Sequence, residues 1–437
     1  MYGETDNGIL GYMVDVRRDF HKYAETAWCE FRTTSRIASQ LVGMGYKVLT
    51  GEEFIKQEHI LGRNIDEAAE KSRALLQGAE KAWLDRMGSY TGCMAILDTG
   101  RPGPVKALRF DIDCNDVNED LSAGHRPYDE GFSSVNPGSM HACAHDGHAA
   151  VGLALAMWLK KNESELTGSF KLIFQPAEEG VRGGYAVVKG ENVDDVDYFL
   201  SLHLGLGYPT GTIVGGVTDF LGSSKFDLVY KGVGAHAGGE PNAGRNALLA
   251  GATAALGLHA IPPHRDGITR INVGVMKAGE GRNVVPSMAE LKVETRGETR
   301  QLAQYVFERA MEVAKGAAVM YGVEVEGISQ GEAPCSTSDK DFAELVVDAS
   351  RGLAGVTERI MSGKMPGSDD ASWMMEAVRS KGGKATYAIV GANLAAGHHN
   401  FRFDFDEKAM LIAYELLLST VKAIDREYLE GRGKSRP

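Results

Sequence analysis

Residues 140–148 read Met-His-Ala-Cys-Ala-His-Asp-Gly-His, and the segments on either side of them define the predicted fold. The apolar runs 105–112 and 169–174 predict buried strands, and the Ala/Leu-rich segment 149–159 predicts a helix between them. Strands that alternate with helices predict an α/β fold, with a mostly parallel sheet covered by helices on both faces. Ligand-binding groups gather where such strands end, so the nine residues lie where a site is expected.

The composition restricts the class of protein. A chain of 437 residues is long enough for two domains, and its 43% hydrophobic and 24% charged residues are typical of globular proteins. The net charge of −12 argues against nucleic acid as the main partner, because phosphate binding needs a positive surface. The five cysteines are scattered and odd in number, which argues against a disulfide framework. No run is apolar enough to span a bilayer and Met1–Leu10 lacks signal-peptide features, so we expect a cytoplasmic protein.

A change of pattern near Gly222 predicts a second domain. From there the predicted order is strand, helix, strand, strand, helix and strand, which is typical of a compact split βαβ unit. We therefore predict an inserted domain at 222–331 and a discontinuous catalytic domain made of 1–221 and 332–437. Residues 52–87 are charged and rich in helix formers, which predicts a solvated helical excursion.

The stretch 140–148 is dense in groups that bind metals. Cys143 and His145 are two residues apart, so on an extended loop both side chains would face the same way. A lone histidine is more often a hydrogen-bonded core residue, but His141, His148 and Asp146 lie beside this pair. So many imidazole, thiol and carboxylate groups in one stretch favour a metal site.

Two adjacent glutamates follow the strand predicted at 169–174. Pro176 ends that strand and Gly180 permits a turn, so Glu178 and Glu179 can both reach one cavity from a loop. One carboxylate can then bind metal while the other takes a proton from water, as metal-assisted hydrolysis requires. Taken alone, the pair would be better explained as two solvated loop acids.

Three more histidines are candidate ligands. His203 ends the apolar run 198–203, at the carboxyl end of a predicted buried strand. His398 and His399 follow Gly397 in a predicted loop, and we expect one of the two to be structural.

In combination these motifs resemble the amidohydrolase branch of the M20 metallopeptidase family. The residues that carry the resemblance are Met140–His148, Gln175-Pro-Ala-Glu-Glu-Gly180, His203, Gly234-Ala-His-Ala237, Asn283-Val-Val-Pro286 and His399. The resemblance implies two divalent metal ions held by one cysteine, one glutamate and three histidines, namely Cys143, His145, Glu179, His203 and His399. It also implies that Glu178 is the general base, and it places the last ligand on His399 rather than His398.

Within that branch, the chain is more similar to members that cleave the amide of p-aminobenzoyl-glutamate, depend on manganese and act with a related partner chain. The segments that carry this similarity are 52–87, 97–104, 256–263, 281–286 and 396–400. Four alternatives stay open: zinc as the metal, a homodimer, hydrolysis of other N-acyl amino acids, and a protein that binds without catalysing. The complete ligand set with Glu178 argues against the last of these.

The resemblance also assigns residues in the inserted domain. It places His236 at a lid histidine that reaches the active site of a partner chain and stabilises the oxyanion. It places Asn283 and Arg296 near the substrate carboxylate, which arginine can bind at two points. A surface salt bridge explains Arg296 equally well.

Two departures from the family pattern concern the metal loop. The family's Cys-Gly-His is Cys143-Ala144-His145 here, so the loop loses a residue that adopts φ > 0 freely. The family's Asp-Met-Asp-Ala-Leu becomes Asp111-Ile-Asp113-Cys-Asn, and we expect these two aspartates to support the ligands rather than bind metal. Neither departure removes a ligand or the base.

Overall fold

The computed structural model describes residues 6–364 and 367–434. The strands are β1 (Lys47–Thr50), β2 (Cys93–Asp98), β3 (Val105–Asp111), β4 (Ser169–Gln175), β5 (Tyr198–Leu204), β6 (Thr212–Thr218), β7 (Gly222–Lys231), β8 (Ala235–His236), β9 (Thr269–Ala278), β10 (Val284–Val285), β11 (Met288–Gly297), β12 (Glu324–Ala333), β13 (Glu358–Lys364) and β14 (Lys384–Val390). The α-helices are α1 (Asp6–Lys22), α2 (Phe31–Gly43), α3 (Glu67–Leu76), α4 (Lys81–Met87), α5 (Arg126–Asp129), α6 (His145–Lys161), α7 (Gly184–Lys189), α8 (Ala247–His259), α9 (Arg300–Tyr321), α10 (Lys340–Ala349), α11 (Ala371–Ser380) and α12 (Lys408–Lys434). Within the described ranges, no helix has both the length and the apolar character needed to cross a bilayer.

The chain forms two compact units. The first consists of the described parts of Met1–Thr218, Thr337–Lys364 and Asp370–Pro437. The second consists of Asp219–Ser336 and the described part of Met365–Asp369. The role of the second unit as a lid and dimerisation domain, with the bounds 222–331, stays a prediction.

The first unit is built on an eight-stranded sheet with the order β1-β2-β4-β3-β5-β14-β6-β13. Its central strands β4, β3, β5 and β14 are parallel, as are β6 and β13. The antiparallel pairs are β1 with β2, β2 with β4, and β14 with β6. The predicted α/β fold with a mostly parallel sheet is therefore confirmed, with antiparallel pairing at β1-β2-β4 and at β14-β6.

Helix α6 forms the centre of the apolar core of this unit. It packs against β3 and β4, and Gly152 allows the close approach, because a Cβ there would lie 2.7 Å from the Phe110 ring and 2.8 Å from Phe174. Helices α1 and α12 also pack on α6. The N-terminal end of α6 is thereby fixed at the edge of the sheet.

The excursion at 52–87 contains α3 and α4, as its composition predicts. One face of the excursion is buried, however, since Ala74, Leu84 and Met87 pack around Phe31 of α2. The prediction of a solvated segment was therefore wrong for this face, because the spacing of a few apolar residues decides which side of a charged helix is covered.

The second unit has the element order β7, α8, β9, β11, α9, β12, which is the predicted split βαβ order. Its four-stranded sheet has the order β12-β7-β11-β9, and each pair is antiparallel. Helices α8 and α9 pack on one face of the sheet through the cluster that contains Leu228, Leu291, Ala250 and Ala314. A short ribbon of β8 and β10, which the sequence analysis did not predict, carries His236.

Candidate metal centre

Three neighbouring strands of the first unit end at one edge of the sheet. Strand β3 ends at Asp111, β4 at Gln175 and β5 at Leu204, and Asp111 lies opposite Gln175 in the parallel register. Parallel strands bring their carboxyl ends to the same edge, so the loops after them converge.

The six residues predicted to bind metal or to act as the base come together at this edge: Cys143, His145, Glu178, Glu179, His203 and His399. They form three overlapping triplets, and within each triplet the candidate ligand atoms lie within 4.8 Å of one another. The triplets are Cys143 with His145 and His203, Cys143 with Glu179 and His399, and His145 with Glu178 and Glu179. Cys143, His145 and Glu179 each belong to two of the triplets, so the six residues form one continuous cluster.

The turn between Cys143 and His145 is made by Ala144, which has φ 67°. This left-handed conformation costs an alanine roughly 1 kcal/mol, whereas glycine adopts it freely. Helix α6 begins at His145 and not at the predicted residue 149, so the expectation of an extended loop here was wrong. The left-handed residue reverses the chain direction and places His145 in the first turn of the helix beside Cys143.

One nitrogen of His145 fits a metal ligand. Its Nδ1 donates to the Asp113 carbonyl oxygen at 3.0 Å, and its buried Nε2 has no hydrogen-bond partner among the described residues. Carboxylate oxygens of Asp111 and Glu178 lie 3.7 and 3.9 Å from Nε2. Burial lowers the pKa of His145, but the charge of Asp111 and the hydrogen bond to Asp113 outweigh it and hold the pKa well above its usual range. A bound cation would displace that proton.

His148 lies beside His145 but has both ring nitrogens engaged. Its Nδ1 is 2.5 Å from Asp111 Oδ1, and its Nε2 accepts from the Leu204 N–H at 3.0 Å. Arg109 donates to the other oxygen of Asp111 at 2.6 Å. Asp111 and His148 thus form a buried support beneath the cluster.

Cys143 and His203 face each other with Sγ and Nε2 3.5 Å apart. The Nδ1 of His203 donates to the Leu204 carbonyl at 2.8 Å, which leaves the Nε2 lone pair directed at the sulfur. Burial, followed by the neighbouring His148, holds the pKa of His203 well below its usual range. Burial raises the pKa of the Cys143 thiol to about 12, so a cation is needed to make it a thiolate near neutral pH.

The two consecutive histidines both reach the cluster, but they contact different residues of it. The Nδ1 of His398 lies 3.5 Å from Cys143 Sγ. His398 Nε2 accepts from the Leu206 N–H at 3.1 Å, and burial together with its neighbour lowers the pKa of His398 to about 4. His399 has φ 64°, and its Nε2 lies 3.4 Å from Glu179 Oε1. The backbone N–H of His399 donates to the Ala142 carbonyl at 2.8 Å, which holds His399 against the stretch 140–148. His398 therefore has one nitrogen bound to the backbone and the other beside the sulfur, and the assignment of the ligand to His399 stays a prediction.

A buried ionic network behind the site was missed in the sequence. Arg17 of α1 has no exposed surface and donates to Asp146 and Asp404 at 2.9 and 2.8 Å. His21 Nδ1 lies 2.8 Å from the same oxygen of Asp146. The sequence does contain an indication of this network. Arg17 and His21 are four residues apart and share a helix face with the apolar Met13. A charged pair on a buried face requires partners elsewhere.

His141 is the third histidine of the stretch and lies behind the cluster. It is buried, and neither of its ring nitrogens has a hydrogen-bond partner within residues 6–364 and 367–434. Burial lowers its pKa to about 3, so the ring is neutral. Its ring centroid is 6.2 Å from that of His21, on the side of the ionic network.

The second unit brings together two of its three predicted site residues. Val284 pairs with His236, and the Asn283 carbonyl accepts from the Ala237 N–H at 3.0 Å. Arg296 lies at the other end of β11, about 26 Å along the strand from Met288. Its Nη2 donates to Glu294 Oε1 at 2.9 Å. The contribution of Arg296 to substrate binding stays a prediction.

Comparison with known proteins places this site in a family. Residues 107–423 match the model of peptidase family M20/M25/M40. Indole-3-acetyl-aspartic acid hydrolase from Enterobacter agglomerans is 51% identical over 416 residues, which cover 94% of this chain and 95% of that protein. A p-aminobenzoyl-glutamate hydrolase subunit from Escherichia coli is 49% identical over 418 residues, 95% of this chain and 96% of that protein. The crystal structure of the aminobenzoyl-glutamate utilization protein from Klebsiella pneumoniae superposes with a TM-score of 0.82, at 43% identity and 96% coverage of both chains.

The α/β sheet with thiol, imidazole and carboxylate groups gathered at its edge defines a hydrolase of amide bonds. The chain belongs to peptidase family M20/M25/M40, as the resemblance implied.

Proposed function

We propose that this protein hydrolyses the amide bond of p-aminobenzoyl-glutamate to p-aminobenzoate and glutamate. The observation that carries the proposal is the convergence of Cys143, Glu178 and His399 with His145, Glu179 and His203 in one cluster of the first unit. The likeness over almost the whole chain to a p-aminobenzoyl-glutamate hydrolase subunit supports the substrate.

In this proposal, two divalent metal ions bind at the cluster. Cys143, His145, Glu179, His203 and His399 would hold the ions. The donor set fits, because the buried His145 Nε2 has no hydrogen-bond partner among the described residues, and a cation would convert the buried thiol of Cys143 to a thiolate. Manganese is favoured by the family resemblance, whereas the thiolate and imidazole ligands also suit zinc.

When bound, the ions supply an activated water and polarise the scissile carbonyl. Glu178 is 8% exposed and its carboxylate is 3.9 Å from His145 Nε2, so it can take a proton from a water at the centre. The water oxygen forms the new C–O bond as the C–N bond breaks. Glu178 then gives the proton to the departing nitrogen of glutamate.

His236 of the second unit is the proposed donor to the oxyanion in the site of a partner chain. Its Nδ1 accepts from the N–H groups of Gly238 and Gly239 at 3.2 and 2.9 Å. Since Nδ1 is an acceptor, the ring proton resides on Nε2. A neutral imidazole held in this tautomer can donate to a developing negative charge.

The substrate carboxylates and the partner chain belong to the same proposal. Asn283, next to His236, and Arg296 are proposed to bind the glutamate end, where Arg296 would exchange Glu294 for a substrate carboxylate. Because they lie near opposite ends of β11, the two residues at one site would come from different chains. Two relatives are named as one subunit of a hydrolase or as a homologue of that subunit, rather than as the whole enzyme. A related B-type chain is therefore the proposed partner, with a homodimer through the second unit as the alternative.

A second candidate substrate is indole-3-acetyl-aspartate. It is favoured by the 51% identity to a hydrolase of that compound, which matches the identity to the p-aminobenzoyl-glutamate hydrolase subunit. Both compounds join an aromatic acyl group to an acidic amino acid, so the metal centre and carboxylate-binding groups serve either. The two compounds differ in the acyl group, and therefore in the pocket that would bind it, and in one methylene of the amino acid. Hydrolysis of other N-acyl amino acids and a non-catalytic binding role are the remaining alternatives.

A substrate panel separates these functions. The purified protein, loaded with Mn²⁺ or Zn²⁺, would be assayed with p-aminobenzoyl-glutamate, indole-3-acetyl-aspartate and N-acetyl-glutamate, with and without a candidate partner chain. We expect the highest kcat/KM for p-aminobenzoyl-glutamate. A preference for the indole compound would reassign the substrate, and no turnover of any compound in either condition would support the binding role.

A further inference from the structure

The backbone of the glutamate pair is held in an unusual way. Three successive N–H groups, those of Ala177, Glu178 and Glu179, are each accepted by a buried carboxylate. Ala177 donates to Glu30 Oε1 at 2.8 Å. Glu178 and Glu179 donate to the two oxygens of Asp113, at 3.1 and 2.9 Å.

Glu30 comes from a distant part of the chain, directly before α2. It has no exposed surface, and its second oxygen accepts from the hydroxyl of Thr91 at 2.6 Å. Both oxygens of the Glu30 carboxyl group therefore accept a hydrogen bond. One bond comes from the Ala177 N–H and the other from Thr91, which lies just before β2.

The acceptors support a backbone conformation that would otherwise be unfavourable. Ala177 has φ 54°, in the left-handed region that non-glycine residues avoid. This turn directs three N–H groups inward at once, and a buried N–H without an acceptor is destabilising. The carboxyl oxygens of Glu30 and Asp113 accept these N–H groups, so both side chains stabilise the turn.

The turn also decides where the two glutamate side chains point. Glu178 Oε2 lies 3.9 Å from His145 Nε2, and Glu179 Oε1 lies 3.4 Å from His399 Nε2. Adjacent side chains would diverge on an extended strand. Here both face the cluster, because their own N–H groups are tied to Asp113 behind them.

We propose that Glu30 and Asp113 are positioning residues for the hydrolytic reaction, which bind the backbone of Ala177–Glu179 and thereby aim the base and one metal ligand at the centre. The inference rests on the proposed function. Neither carboxylate touches substrate, and the effect passes through Glu178 and Glu179. A purely structural role for Glu30 would change stability and leave metal affinity and kcat unaltered.

The test compares Glu30→Met with Glu30→Gln. Glutamine keeps an oxygen for the Ala177 N–H and an amide group for the Thr91 hydroxyl, so kcat and Mn²⁺ affinity should stay near the wild-type values. Methionine keeps the volume and removes the acceptor. We expect Glu30→Met to lower kcat and Mn²⁺ affinity by about 10- to 100-fold each, with KM little changed.

Thr34→Val is the matched control. Thr34 is also buried and lies in the first turn of α2, four residues after Glu30, and its hydroxyl accepts from the Gly92 N–H at 2.8 Å. This variant also loses a buried hydrogen bond between a backbone N–H and a side-chain oxygen. The lost bond does not involve Ala177–Glu179. Its kcat and Mn²⁺ affinity should equal those of the wild type, even if its melting temperature falls.

Mn²⁺ affinity would be measured by calorimetry on the full chain after chelation, which needs no substrate. A wild type that binds Mn²⁺ but cleaves none of the panel would contradict the proposed function alone. A folded Glu30→Met protein with wild-type Mn²⁺ affinity and kcat would overturn the positioning role, as would equal losses in Glu30→Gln. If Glu30→Met does not fold, Thr91→Val should show a smaller loss in the same direction, and its absence would also overturn the inference.

Discussion

Arg17 and Asp146 form an ion pair without exposed surface, in which Arg17 Nε donates to Asp146 Oδ2 at 2.9 Å. Asp146 follows His145 directly, in the first turn of α6. The same guanidinium binds Asp404, whose backbone carbonyl accepts from Ala395 at the base of the loop that carries the last two histidines. One buried cation from α1 thus joins two separate parts of the metal centre.

Replacement of Arg17 by methionine should lower the free energy of unfolding by about 3–5 kcal/mol, because the buried carboxylates of Asp146 and Asp404 lose their cation. Arg18→Met is the control. The Arg18 side chain is 28% exposed and pairs with Glu130 and Glu407, so its loss should cost no more than about 1 kcal/mol. Urea unfolding measures both. Equal stability of the two variants would show that the buried network does not stabilise the fold.

The same network predicts how stability depends on pH. Burial raises the pKa of the Asp404 and Glu407 carboxyls, but hydrogen bonds and the charges of the arginines outweigh it and hold each pKa below its usual range. Because the unfolded chain binds these protons more tightly, the contribution is complete above about pH 5 and is lost as the pH falls through the folded-state values.

The variant Asp404→Asn tests this prediction. The difference in unfolding free energy between the wild type and this variant should shrink as the pH is lowered from about 6 to 3. Denaturant titrations across that range would measure it. A difference that does not change with pH would mean that Asp404 keeps an ordinary pKa in the folded protein.

The two neighbouring glutamates should respond differently to the loss of charge. Glu178→Gln removes the proposed base and should lower kcat by about 10²- to 10⁴-fold, with metal content retained. Glu179→Gln removes a proposed ligand, so both bound metal and kcat should fall. Metal analysis together with steady-state kinetics distinguishes the two. Full metal content in Glu179→Gln would remove it from the ligand set, and retained turnover in Glu178→Gln would reassign the base.

Replacement of Ala144 by glycine should stabilise the protein. The φ of 67° is strained for alanine, and Ala144 precedes the first residue of α6, so Ala144→Gly should raise the unfolding free energy by about 0.5–1 kcal/mol. The matched change Ala149→Gly lies inside α6 and should lower stability by about 1 kcal/mol or more. Chemical denaturation of both variants gives the sign of each change in unfolding free energy. A destabilised Ala144→Gly protein would show that the methyl group packs well enough to offset the strain.

The choice among the histidines shows how far local sequence can decide a site. His141, His145 and His148 are indistinguishable by type and lie within one stretch, and the family resemblance alone selected His145. In the structure, both ring nitrogens of His148 are hydrogen-bonded, one to Asp111 and the other to the Leu204 N–H. The Nε2 of His145 has no hydrogen-bond partner among the described residues. The selection depends on partners that reach the stretch only when β3 and β5 lie beside it.

The sequence by itself determined the α/β class, the split βαβ order of the second unit and the residue types of the metal centre. These features follow from short-range periodicity and from motifs within a few residues of one another. Only the tertiary structure decided that a charge on α1 can be buried, since the partners of Arg17 lie 129 and 387 positions away in the chain. Likewise, the turn of the glutamate pair depends on Glu30, 147 positions before Ala177. A buried charge or N–H group is stable only with its partner in place, and folding alone brings such distant partners together.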